Sequence, residues 1–206
     1  MTEELAYEVV DHLPEGVELR RYPAHAVADV TVRGSLAGAG NTAFAPLFSY
    51  ISGSNRPNAS LAMTAPVVQQ AARRGEKVAM TASVVQEEGD AGSSGTGSDA
   101  STGAGRSFTV SFVLPAGMTA DTAPQPTDER VSLRAVPPTL SAAVRYSGRW
   151  STSAYERHRD RLLAAVAAAG LHPVGAPRWL RFDPPFKPWF LRRNEVVVDV
   201  AEPAQP

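Results

Sequence analysis

The side chains best suited to chemistry fall in three places. The stretch Ser60-Leu61-Ala62-Met63-Thr64-Ala65-Pro66-Val67-Val68-Gln69-Gln70 recurs almost at once as Lys77-Val78-Ala79-Met80-Thr81-Ala82-Ser83-Val84-Val85-Gln86-Glu87. Its methionines, Met63 and Met80, are soft and adaptable, suited to a surface that shapes itself around a flat ligand. Later, Asp183 to Asn194 sets Lys187, Arg192 and Arg193 among Phe186, Trp189 and Phe190. Of the four histidines, His12 and His172 sit beside prolines in turns and His25 falls on a polar strand face. His158 lies three residues after Tyr155 and four before Leu162, at the edge of a helical apolar stripe. Histidines at such edges, and methionines in strands, more often pack than bind. No nucleophile elbow, paired-histidine metal motif, phosphate loop or dinucleotide fingerprint is present. Glu8, Glu18 and Asp29 stand as isolated acids on polar strand faces, so no acid–base pair emerges.

Composition narrows the partners. Lysine plus arginine number 20 against 21 acids, a net charge of -1, which removes the usual electrostatic argument for nucleic acid or an anionic membrane. Cysteine is absent, so disulfides, thiolate metal sites and a cysteine nucleophile are excluded. Met1 to Arg20 holds no continuous apolar run and nothing later approaches a membrane span, so a cytoplasmic protein without membrane insertion is expected.

The elements that must position these residues follow from periodicity. Glu8 to His12, Val17 to Tyr22 and the alternating run from Ala24 to Arg33 read as strands. Gly34-Ser35 opens a helix with Leu36, Ala39, Ala43, Phe44, Leu47 and Ile51 on one side. Gly38 and Gly40 each cost about 1 kcal/mol relative to alanine, so firm helix is expected only from Asn41-Thr42. The repeated methionine segments then pair as a hairpin around Ala71 to Glu76, with Met63 facing Val84 and Val67 facing Met80. Residues 88–107 are nearly all Gly, Ser, Ala, Thr and Asp, a flexible insertion too polar to build a core. Strands follow at Phe108 to Leu114, Val131 to Val136 and Leu140 to Ser147. A second helix is capped by Ser151, buries Tyr155, Leu162, Leu163, Val166 and Ala169, and stops at Gly170. Pro177 to Phe182 and Glu195 to Val200 close the chain.

The halves look alike. Val30-Thr31-Val32-Arg33-Gly34-Ser35 leads into a helix as Val144-Arg145-Tyr146-Ser147-Gly148-Arg149 does. Each half reads as strand, helix, strand, strand. The expectation is one domain over 1–206, an α+β fold of antiparallel sheets curled toward a barrel with a helix on each outer side.

Eight short pieces in one order cover nearly the whole chain. They include Glu18-Leu19-Arg20-Arg21-Tyr22-Pro23, Ala62-Met63-Thr64-Ala65-Pro66-Val67, Ser147-Gly148-Arg149-Trp150, and Asp183-Pro184-Pro185 with Phe190-Leu191-Arg192-Arg193-Asn194-Glu195-Val196. On these the chain resembles the SOUL haem-binding protein family. The resemblance implies two antiparallel four-stranded sheets forming a distorted barrel, flanked by two helices in a pseudo-two-fold repeat. It also implies non-covalent binding of haem or a related tetrapyrrole (porphyrin) in an apolar cleft. Carried onto this chain, the cleft takes Leu47, Ile51 and Met63 as wall residues, with Lys187, Arg192 and Arg193 at the mouth to neutralise two propionates. His158 is the candidate axial ligand, with Met63 and Met80 as soft alternatives. The role expected is a haem buffer, carrier or scavenger. The alternatives are an enzyme acting on a tetrapyrrole, for example by removing iron, and an interaction module gripping a protein through the aromatic loop at 184–194.

Overall fold

Alternation of apolar residues along most strands places one side of each under a helix. The computed structural model describes residues 5–56, 84–88, 106–183 and 186–202. The methionine hairpin, with Met63 and Met80, lies outside the described residues, as does the insertion from 89 to 105. The elements are β1 (Glu8–Leu13), β2 (Val17–Tyr22), β3 (His25–Arg33), α1 (Leu36–Ile51), β4 (Asn55–Arg56) and β5 (Val84–Glu88). They continue with β6 (Ser107–Val113), β7 (Gln125–Pro126), β8 (Val131–Val136), β9 (Thr139–Ser147), α2 (Thr152–Ala168), β10 (Pro173–Arg181) and β11 (Arg193–Val200).

Two four-stranded sheets were expected. Among the described residues the strands instead form one antiparallel nine-stranded sheet, in the order β1-β2-β9-β11-β10-β5-β6-β3-β8, with β4 and β7 pairing separately. The two halves join where β10 pairs β5, Trp179 opposite Gln86 and Leu180 opposite Val85. Counted outward from that seam, one side reads β10, β11, β9, β2 and the other β5, β6, β3, β8. Each side therefore takes its fourth strand (β2 or β8) from just before the other side's strand-helix-strand-strand unit, with β1 added beyond β2. Asp29 pairs Ser111 on one side, and Ala143 pairs Val197 on the other, at matching steps from Gly34 and Gly148. Both glycines hold positive φ, +152° and +143°, at the turn from strand into helix. The ladder is open: β1 and β8 end it and do not pair with each other.

The helices share the same side of the sheet. Under α1, Ala39, Ala43, Leu47 and Tyr50 pack on Ala28, Val30, Val110 and Phe112. Under α2, Tyr155, Leu162 and Val166 pack on Val144, Trp179, Val196 and Val198. α1 begins at Leu36, five residues ahead of the glycine-based expectation, because the Ser35 hydroxyl accepts the Gly38 N–H and the first turn is packed. Burial also carries α1 through Pro46, which removes one helical donor. α2 is capped by Ser151 as expected.

The opposite side of the sheet is buried too. Tyr22, Ala143, Leu180 and Val197 form a smaller cluster there, joined by Val85 and Phe182. This corrects the reading of that side as wet. Val27 and Asp29 are buried on β3, and Arg20 and Glu195 are 2% and 1% exposed. Glu18, read as isolated, pairs with Arg20 at 2.7 Å.

Trp179 is fully buried at the seam and touches both Tyr155 and the neighbouring half. Trp179→Ala should lower the unfolding free energy by about 3–5 kcal/mol. Urea denaturation should show that loss, and Phe44→Ala on the outer side of α1 should cost under about 1 kcal/mol. Equal losses in the two variants would contradict this assignment of the core.

Candidate functional site

Two regions bring chemistry-bearing side chains together. The first is the loop from Asp183 to Arg193. Asp183 organises it: one carboxylate oxygen accepts from Lys187 Nζ at 2.6 Å, the other from the Arg193 backbone N–H at 2.5 Å. Arg192 Nε donates to the Lys187 carbonyl at 2.8 Å, and the Gly148 N–H donates to the Arg192 carbonyl at 3.3 Å. A 3₁₀ turn at Trp189–Leu191 completes the loop. With its polar groups satisfied from below, the loop turns its apolar side chains outward. Phe186 is 87% exposed, and Trp189, Phe190 and Leu191 about half exposed. Trp189 and Phe190 meet edge to face at 5.6 Å. The Arg149 guanidinium lies over the Trp189 ring at 4.9 Å, and that of Arg192 over Trp150 at 4.6 Å. Exposed apolar groups gathered on one loop make it a candidate interaction surface.

The second region is a cavity of about 80 Å³ on the side of the sheet away from the helices. Tyr22, His25, Arg134, Arg178, Arg193 and Glu195 supply its polar wall. Glu195 accepts from Arg20 at 2.6 Å and from Arg193 at 3.1 Å. Arg134 pairs with Asp29 at 2.6 Å, and Arg178 holds Asp199 through two bonds of 2.8 and 2.5 Å. Burial, with Arg178 and Arg134 adding to it, keeps the His25 ring below the usual histidine range, against the Pro23 carbonyl that its Nδ1–H reaches at 2.9 Å. Burial also pushes the Tyr22 hydroxyl up to about 12, although Arg20 pulls the other way.

The residues singled out by sequence are scattered between these regions and the core. Lys187 and Arg192 lie in the loop, and Arg193 reaches from the loop to the cavity. Leu47 and Ile51 are 0% and 5% exposed beneath α1 and present no surface. Met63 lies outside the described residues. His158 donates from Nδ1 to the Ala154 carbonyl at 2.7 Å and stacks on Tyr146 with ring centroids 3.9 Å apart. Among the described residues no cluster of three or more histidines and acids could hold a metal ion, and no helix is long and apolar enough to cross a membrane. Sequence reasoning missed Arg149 and Trp150, although both stand in the quoted Ser147-Gly148-Arg149-Trp150 piece. Their role as the floor of a loop some forty residues later carries no local signal.

Burial opposes the charge on Asp183, but the Arg193 N–H and the Lys187 ammonium outweigh it and hold the carboxyl below its ordinary range. The stability it contributes is therefore complete above the unfolded value, about 3.9, and is lost as pH falls through the lower folded value. Urea midpoints followed down from pH 6 should fall less steeply for Asp183→Asn than for the unaltered chain in that acid range. Parallel curves would refute the role given to Asp183.

Comparison with known proteins agrees with this architecture. A model of the family described as SOUL heme-binding protein matches residues 2–199. A search of curated proteins finds no match. Among solved structures, the fold is similar to the EcmrR C-terminal domain at TM-score 0.59 and 10% identity, covering 95% of this chain and 98% of that one. It is also similar to a hydrolase from Listeria innocua (TM-score 0.54, 11% identity, 97% and 94% covered). An uncharacterized conserved protein from Listeria innocua gives 0.57, 12%, 97% and 94%. At these identities the likeness is one of fold. With its family model spanning nearly all of its length, the chain belongs to the SOUL heme-binding protein family.

Proposed function

We propose that this protein binds haem or a related tetrapyrrole without a covalent link, acting as a buffer, carrier or scavenger, and that the ring lies on the loop from Asp183 to Arg193. The observation that carries this reading is the run of exposed Phe186, Trp189, Phe190 and Leu191 beside Arg149, Lys187 and Arg192. A macrocycle offers a wide apolar face to such a surface, and aromatic stacking supplies affinity without a shaped pocket. Its carboxylates stay at the solvent edge, where guanidinium groups suit them. The internal cavity does not fit the same ligand: at about 80 Å³ it is well below the range on the order of 300–1,000 Å³ of ligand pockets. Arg193 and Glu195, which border it, are already paired. Met63 and His158 stay in the proposal as a wall residue and an axial ligand respectively. Leu47 and Ile51 support the site through the packing of α1.

The exposure of Phe186, Trp189, Phe190 and Leu191 favours a second reading, a surface that grips a protein partner. Titration with haemin and with metal-free protoporphyrin, followed by absorbance and tryptophan emission, separates the two. On the first reading both ligands bind, because the ring face and not the iron dominates. Trp189→Ala should weaken haemin binding by about 1–3 kcal/mol, the value of one aromatic platform, and His158→Ala should change it less than Trp189→Ala does. Loss of both ligands from the unaltered protein would leave only the partner-binding reading. Abolition of haemin binding by His158→Ala, with metal-free protoporphyrin never bound, would make axial coordination the source of affinity.

A further inference from the structure

Beneath the loop, on the helix side of the sheet, lies a polar cluster that the ring-binding surface does not use. Gln86 Oε1, Trp150 Nε1, Arg181 Nε and Asn194 Oδ1 are buried atoms without a hydrogen-bond partner among the described residues, and Tyr146 OH and Trp179 Nε1 lie close enough to satisfy each other. These side chains share one neighbourhood. Arg181 pairs Asn194 across β10 and β11, Asn194 pairs Tyr146 across β11 and β9, and Trp179 pairs Gln86 at the seam. The Arg181 guanidinium lies 4.1 Å from the Trp179 ring centre and 5.2 Å from that of Trp150.

Arg181 is the unusual member. It is 5% exposed, and among the described residues no carboxylate pairs with it. Its Nη2 reaches only the carbonyls of Leu36 and Ala37, at 3.4 Å each. A Cβ on Gly40 would stand 2.9 Å from its Nη1, so α1 has closed onto the guanidinium as far as a glycine permits. Both helices begin here, α1 at Leu36 and α2 two residues after Trp150. A buried cation at two helix N-termini is an unfavourable arrangement, and a negative group is what would relieve it. Burial lowers the guanidinium to about 10, in the direction an unopposed charge demands.

We infer that this cluster is a binding site for one carboxylate group, held by Arg181 with the indole N–H of Trp150 as a second donor. Trp150 is half buried, and its ring lies between the Arg181 and Arg192 guanidinium groups. Carboxylate rather than an apolar group is specified because the unpartnered atoms include two N–H donors, Trp150 Nε1 and Arg181 Nε, beside a fixed positive charge. The site goes beyond the proposed function, since it recognises an acid whatever ring carries it.

The test uses sodium propionate as probe, titrated into the full chain at constant ionic strength with chloride as the balancing anion. Trp150 and Trp179 flank the site and report through their emission. The unaltered protein should give a saturable change, retained in Trp189→Phe. Arg181→Gln should weaken that response at least tenfold. Arg181→Lys keeps the charge but loses Nε, and should weaken it at least tenfold in a chain whose circular dichroism matches the original. No saturable response in the unaltered protein, or an equal response in Arg181→Lys, would overturn the inference and leave the cluster to buried water. Haemin binding, measured separately, distinguishes the two claims. A propionate response without haemin binding defeats the proposed function and keeps this site, and the reverse result defeats this site alone.

Discussion

Two short connections govern the architecture. Pro23-Ala24 joins β2 to β3, and Pro137-Pro138 joins β8 to β9. In the sheet order β2 is second from one end and β3 second from the other. Three peptide steps reach at most about 11 Å, so strands far apart along the ladder are forced together at one end. The sheet has to curl. Curling explains why a single cavity is lined by β2 and β11 from one half and β3 and β8 from the other. It also explains why both faces of the central strands are dry, and why charges trapped inside come as pairs such as Arg20 with Glu195. Removing one partner of such a pair typically costs about 3–5 kcal/mol, a large share of the roughly 5–15 kcal/mol that holds a domain folded.

The same curl divides the functional surfaces. The inner face is small, with its arginines engaged in ion pairs around an apolar cluster, whereas the outer face carries helices whose N-termini meet near the seam. The loop after β10 crosses that region and is fastened by Asp183 and Gly148. A loop whose base is hydrogen-bonded can hold four large apolar side chains in water without collapsing onto them. The hydrogen bonds at its base hold it, and its apolar face is left exposed to water.

Much of this was legible in the sequence. Alternation located most strands, Ser151 and Gly170 bounded α2, and the paired glycines Gly34 and Gly148 exposed the repeat. Alternation failed on β3, where His25 and Asp29 look solvent-facing yet His25 lines the cavity and Asp29 is buried against Arg134, because period-two patterning cannot tell solvent from a lined interior. Glycine propensity failed at the start of α1, where Gly40 is required by the approach of Arg181 and packing outweighs about 1 kcal/mol per glycine. Leu47 and Ile51 matched the family cleft in sequence but serve the core. Arg181, Gln86 and Asn194 come from three separate strands and Trp150 from the connection between β9 and α2, so their convergence has no signature along the chain.

The central claim is that the ring lies on the loop and not inside the sheet. Indole ¹⁵N–¹H spectra of the protein, recorded with metal-free protoporphyrin, test it most directly. The account predicts that the Trp189 indole signal moves furthest, by ring-current shift, while the backbone amides of Leu180 and Val197 stay in place. A Trp189 signal that does not move, with large shifts at Leu180 and Val197, would place the ligand in the cavity and contradict it.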